Sequence, residues 1–275
     1  MRHRLSIGAV VLVAASVAVG TATAARSATI APPADIASAG KIVYCMDISF
    51  PPFESYAAGN KPVGAEVDLG TAFATLMGVK ASFRNTAFDG IIPALQAGQC
   101  DAIISGLYDK ASRRKVVDFV DYALLGNSIV VQKGNPRHVT GLNATLSGLK
   151  VGVQAGTTLR LQLLAENKKL QKAGKAQMTI VSFPKDSDAF QNLIAGNVDG
   201  YYTVTSTAAY YGKKTGGKTE IAGPQVSAFP FGIATRKNEK PLHQAFAKGL
   251  AMLRANGQYL AILKRWGVAN AALKG

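Results

Sequence analysis

The feature that most constrains this chain is an alternation of short apolar runs with helix-spaced segments, carried through once and then restarted. Ile42-Val43-Tyr44-Cys45-Met46 reads as a buried strand. Pro51 and Pro52 interrupt it soon after, because proline cannot join a ladder. From Gly64 to Leu76 apolar residues fall at Val67, Leu69, Phe73 and Leu76, the spacing of a helix face. Ala81 to Arg84 is a short strand, and Ile91 to Ala97 a helix closed by Gly98. Asp101 to Ser105 is a further strand, and Ser112 to Val117 begins another helix. After the strand Ser128 to Gln132 the rhythm starts again at Lys150 to Val153. A helix capped by Thr157 or Thr158 runs to about Gln171, followed by a strand Met178 to Phe183, a helix Asp186 to Ala195 and a strand Asp199 to Val204. Two helices, about Pro241 to Asn256 and Gln258 to Trp266, finish the chain. Strands alternating with helices favour a parallel sheet covered on both faces. The restart points to two α/β lobes.

The N-terminus sets the compartment. Met1 to Arg4 is basic, Leu5 to Gly20 is apolar and uncharged, and Ala22-Thr23-Ala24 offers a small-residue cleavage site. That is the layout of a secretory signal peptide over residues 1–24, followed by an Ala-, Ser- and Pro-rich flexible leader over 25–39. An uncleaved anchor is the alternative, since the apolar run approaches spanning length. Cleavage leaves no stable membrane insertion.

Composition matters here through charge. Thirty-one Lys and Arg stand against 16 Asp and Glu, a formal net charge of +15. Losing Arg2 and Arg4 with the signal brings it to 29 − 16 = +13. A basic chain suggests nucleic acid, a membrane surface or a small anion. Export and the scattering of the basic pairs (Lys168-Lys169, Lys213-Lys214, Lys264-Arg265) speak against nucleic acid. Cys45 and Cys100 are the only cysteines and read as small buried hydrophobes; the compartment also permits their pairing. Beyond the signal only His138 and His243 remain, with no ligand cluster, so no metal site and no cofactor is expected.

Several segments resemble the family 3 periplasmic solute-binding proteins, the polar amino-acid receptors of ABC importers. Pro51-Pro52-Phe53-Glu54, Gly64-Ala65-Glu66-Val67-Asp68-Leu69, Phe88 to Gly98, Asp101-Ala102-Ile103-Ile104-Ser105, Arg113 to Phe119, Val151 to Thr158, and Gly257-Gln258-Tyr259 with Trp266-Gly267 match its motifs in order. The resemblance spans about residues 40 to 270. It implies the type II clamshell of that fold family: two lobes, each a mixed, mostly parallel sheet flanked by helices. Lobe one would hold 40–126 and 230–275, and lobe two 127–229. The implied function is capture of a small carboxylate-bearing solute in the periplasm or outside the cell, by a monomer, and its delivery to an ABC permease. Hinge closure belongs to such receptors.

The resemblance also implies a site. Arg113 matches the family's carboxylate-binding arginine, whose fork suits a carboxylate bidentately. Thr158, at a helix start, matches its second anchor. Ser105, Gly106 and Tyr108 occupy positions of backbone and hydroxyl contacts, and Tyr108 is bulkier than the small polar residue often found there. Phe50 and Phe88 align with aromatics that sandwich the ligand. Asp47 ends the first strand, where lysine- and arginine-type receptors meet a cationic side chain. One departure stands out: Val204 occupies the place of the Asp that holds the ligand's α-ammonium, and no acid follows within ten residues. A buried ammonium without a carboxylate is costly, which raises the expectation of a ligand other than a standard α-amino acid, or one held by Asp47 alone. No catalytic residue is expected. The alternatives are a periplasmic enzyme resembling cyclohexadienyl dehydratase, with Glu54 or Asp47 as general acid, and a sensory ligand-binding protein.

Overall fold

The computed structural model describes residues 29–273 of the chain, so the segment read as a signal peptide lies outside the described residues. The elements run α1 (Ala34–Ala39), β1 (Lys41–Met46), β2 (Ser55–Ala57), β3 (Lys61–Val63), α2 (Ala65–Leu76), β4 (Lys80–Asn85), α3 (Ile91–Gln96), β5 (Ala102–Ile103), α4 (Ala111–Arg114) and β6 (Val117–Gln132). They continue β7 (Lys150–Gln154), α5 (Thr158–Lys172), β8 (Thr179–Phe183), α6 (Asp186–Ile194), β9 (Gly200–Val204), α7 (Thr205–Lys214), β10 (Thr219–Arg236), α8 (Lys240–Ala255) and α9 (Gln258–Arg265). The alternation read from the sequence is observed in the main, with the hairpin of β2 and β3 and the helix α7 added to it.

One mixed sheet carries the fold, in the order β4-β1-β5-β10-β6-β9-β7-β8. On one side β1 pairs in parallel with β4 and β5. On the other β7 pairs in parallel with β8 and β9. Between the two sides, β6 and β10 run antiparallel to each other along nearly their whole length, from Arg236↔Val117 to Thr219↔Gln132. Register shifts interrupt that pairing between Ala222 and Phe229. The chain therefore crosses the middle of the molecule on two adjacent strands, and the two sides of the sheet lie at opposite ends of them.

The structure corrects the sequence reading in four places. The helix begun at Ser112 is only the single turn α4, and the chain has re-entered a strand by Val117. The long strand Thr219–Arg236 occupies a stretch to which the sequence reading assigned no element. Within the segment read as a flexible leader, Ala34–Ala39 is helical, because Ile30 and Ile36 bury on the core (4% and 3% exposed) and tie it down. Cys45 and Cys100 form a disulfide instead of lying as free hydrophobes. Parallel pairing of β1 with β5 sets Cys45 opposite Ile103, and Cys100 just ahead of β5 comes within a Cα separation of 5.6 Å. Among the described residues no group of His, Cys, Asp and Glu could hold a metal ion, and no helix is long and apolar enough to cross a membrane.

Candidate functional site

A cavity lies where the two sides of the sheet face each other. Asp47, Phe50, Glu54, Phe88, Ser105, Gly106, Tyr108 and Arg113 line it from the β1–β5 side, and Val153, Gln154, Thr157, Thr158, Leu159, Asp186, Tyr202, Thr203 and Val204 from the other. All eight residues singled out in the sequence stand on this wall. The parallel strands explain the gathering. Asp47 follows β1, Ser105 follows β5, Thr158 follows β7 and Asp186 follows β8, and ligands of α/β sheets sit outside the carboxyl ends of strands.

Arg113 is buried, at 8% exposure, with its guanidinium 5.7 Å from the centre of the Phe88 ring. One nitrogen, Nη1, donates to the Tyr108 carbonyl at 3.0 Å. No carboxylate pairs with Arg113 among the described residues. Burial without a counter-ion lowers its pKa to about 10. Thr158 opens α5, where Thr157 Oγ1 caps the helix by accepting the Arg160 N–H at 3.3 Å. The Thr158 hydroxyl is buried and has no hydrogen-bond partner. A buried polar atom left unpaired costs free energy, as does a buried unpaired charge. Both needs meet in one anion.

Other predicted groups are engaged within the protein. Ser105 Oγ accepts from the Asp47 N–H at 2.8 Å and donates to Glu54 Oε1 at 2.8 Å. The Gly106 N–H donates to Glu66 Oε1 at 2.9 Å. A Cβ at Gly106, whose φ is +52°, would come 3.0 Å from the Phe50 ring, so the residue keeps the aromatic wall close. Tyr108 donates to Asn127 Oδ1 at 2.7 Å, and its ring meets Phe231 at 4.7 Å. Phe50 stacks on Phe53 at 5.3 Å. These three donors therefore offer the cavity shape more than free hydrogen bonds.

The acids are the less expected part. Asp47, 4% exposed, accepts from Gln154 Nε2 at 2.6 Å across the cavity, and burial raises its pKa. Glu54, on the wall, has Glu66 as its neighbour; burial and the Glu66 charge hold Glu54 well above the carboxylate range, and burial raises Glu66. Asp186, 3% exposed, accepts from the hydroxyls of Tyr201 and, at 3.1 Å, Thr203. Burial nevertheless raises its pKa to about 7, with Asp47 adding to the effect. Sequence reasoning placed Asp186 only as the first residue of a helix, and did not single out Gln154 or Tyr202. No local signal distinguishes them, since their partners lie far along the chain: Tyr202 donates to Gln162 Oε1 at 3.0 Å, and Asn127 reaches the same oxygen at 3.2 Å.

Comparison with known proteins adds an independent result. The profile of the bacterial extracellular solute-binding proteins, family 3, matches residues 42–269. The ABC transporter arginine-binding protein 1 of Escherichia coli K12 is 30% identical over 234 residues, 84% of this chain and 92% of that protein. An ancestral arginine-binding protein solved with arginine bound is 37% identical, with a TM-score of 0.75 over 82% of this chain and 98% of that one. An ancestral amino-acid-binding protein described as a precursor of cyclohexadienyl dehydratase is 30% identical, with a TM-score of 0.74 over 84% of this chain and 97% of that one.

Proposed function

The chain belongs to the bacterial extracellular solute-binding proteins of family 3, and on that premise we propose that it captures an amino-acid-like solute by its carboxylate and presents it to an ABC permease. The observation that carries this reading is the buried Arg113 guanidinium without a counter-ion, lining the same cavity as the unpartnered hydroxyl of Thr158. A ligand carboxylate takes the free edge of the guanidinium as a charge-assisted pair and the Thr158 hydroxyl and first-turn N–H groups of α5 as further donors. Phe50 and Phe88 flank it. Asp47, whose neighbour is the neutral Gln154 amide, receives a cationic group at the other end. Relatives named for arginine support a solute of this kind. The cavity closes between elements from both sides of β6 and β10, and a ligand favours the closed form by the contacts it makes only there.

The test is a thermal-shift screen of the mature chain over amino acids, opines, amines and organic acids. A carboxylate-bearing hit at a hundred times its Kd stabilises by about 2.7 kcal/mol. Arg113→Ala should abolish the shift for every such hit, and arginine should outbind its decarboxylated analogue agmatine by thirty-fold or more, the cost of removing one partner of a buried charge pair. An unchanged shift in Arg113→Ala would remove the carboxylate anchor.

A second reading, a dehydratase, draws on one observation: Glu54 lines the cavity with its pKa pushed well above the carboxylate range by burial and the Glu66 charge, the direction a general acid requires. Incubation with prephenate or arogenate separates the two, since a receptor forms no product.

A further inference from the structure

The cavity holds an acid that nothing in the carboxylate-and-Asp47 scheme uses. Asp186 lies on the cavity wall, 3% exposed, at the start of α6, and neither it nor Asp47 is in an ion pair among the described residues. Its hydrogen bonds come from two hydroxyls, those of Tyr201 and Thr203. The second of these holds the carboxyl against Thr203, the residue next in β9 to Val204, where the sequence left an acid missing. Hydroxyl donors orient a carboxylate without neutralising it. The cavity thus presents one base, Arg113, and, besides Glu54, which burial and the Glu66 charge hold well above the carboxylate range, two acids without bases.

We propose that Asp186 is a cation-binding residue of this cavity, so that the solute it takes carries one carboxylate and two cationic groups, as a basic amino acid does. The proposal rests on the reading of the site given above and adds to it the residue that decides between basic and neutral amino acids. With both acids ionised, charge balances with such a solute: the carboxylate against Arg113, one cation against Asp47 and one against Asp186. Loss of the acid at Val204 is then compensated from a different element, and a standard amino acid is again a fitting ligand.

The groups that face Asp186 are Tyr201 and Thr203 on β9, Tyr211 on α7, and Asp47 after β1, with the exposed Lys185 beside it acting on Asp47. None of these is a cation buried against it. A bound ligand cation stabilises the carboxylate, so binding expels the proton that burial retains. With a pKa of about 7, Asp186 should release about half a proton at pH 7 when the ligand binds.

The experiment is calorimetry of the mature chain with L-arginine, L-lysine and L-glutamine between pH 5.5 and 8.5, in buffers of different ionisation enthalpy. Expected are tighter binding of arginine or lysine than of glutamine, proton release near pH 7, and affinity falling towards tenfold per pH unit below pH 6. Asp186→Asn should weaken the basic amino acid thirty-fold or more at pH 8, flatten that pH profile, and leave glutamine nearly unchanged. The ligand-free variant should be at least as stable as the wild type at pH 8, because it removes a buried unpaired acid; a merely structural Asp186 would cost stability instead. Proton release in the wild type needs no variant and keeps the proposal open to refutation if Asp186→Asn misfolds. Glutamine bound as tightly as arginine, or binding of arginine without proton release and insensitive to Asp186→Asn, overturns the role of Asp186 and leaves the carboxylate reading standing. No binding of any of the three, together with a thermal-shift screen without hits, overturns both.

Discussion

Arg113 and Thr158 could be found from the sequence because each lies in a motif that resembles the family's, Arg113 to Phe119 and Val151 to Thr158. Asp186 passed unnoticed, because what makes it unusual is burial among residues remote in sequence, Thr203 and Asp47. The same holds for the pairing of Glu54 with Glu66: the sequence presents the first as a motif residue and a general acid of the alternative enzyme, the second as a motif residue alone. Ser105 binds the first and Gly106 the second, and because the two carboxylates are buried and repel, each shifts towards its protonated form; a proton shared by the pair at neutral pH is the expected state. Glutamine at position 54 supplies a permanent donor of the same size. Glu54→Gln should therefore stay within about 1 kcal/mol of the wild type in urea unfolding at pH 7. Glu54→Ala should lose roughly 2–3 kcal/mol, leaving a void and depriving the Ser105 hydroxyl of its acceptor. Equal loss in both variants would refute the shared proton.

At the level of elements, periodicity located the helices α2, α5, α8 and α9 to within a residue or two, since each buries one face. It failed at β6 and β10. Their burial changes along their length as they pass from one side of the sheet to the other, so no single period runs through them. The hairpin of β2 and β3 and the helix α7 were also missed: the first is short and largely exposed, and the second follows β9 with no intervening turn signal. The cysteine pairing was undecided in sequence because it depends on β1 lying next to β5. That disulfide closes a separation of 55 residues, for which the chain-entropy estimate is about 4 kcal/mol. Cys45→Ser with Cys100→Ser should lower the denaturant midpoint by a corresponding amount while leaving ligand affinity nearly intact, because both cysteines lie off the cavity wall. An unaltered midpoint would show that the bridge does not constrain the unfolded chain.

For the whole molecule, four buried carboxyls, Asp47, Glu54, Glu66 and Asp186, all titrate above their ordinary values. Between pH 5 and 7 the folded state binds more protons than the unfolded one, so ligand-free stability should fall as pH rises through that window. Melting temperature followed from pH 5 to 8 checks this, and a basic ligand at saturation should reduce the slope. Closure of the cavity has its own marker. Gly156, at φ +72°, lies so near Asp89 across the mouth that a Cβ there would stand 2.6 Å from the Asp89 Cα. Gly156→Ala should weaken ligand binding by more than it lowers ligand-free stability, and small-angle scattering of the liganded variant should show it less compact than the wild type. Equal effects on both would mean only local backbone strain. The crossing on β6 and β10 has a consequence for how the molecule is made. Strands β7, β8 and β9 can assemble on β6 as soon as they leave the ribosome, because every strand they need has already been synthesised. Ile103, made earlier than all of them, gains its neighbour Ala234 only when translation is nearly finished. The part of the chain that emerges first is completed last, and a nascent chain stalled before β10 would expose the unfinished edge of β5 beside an already folded half.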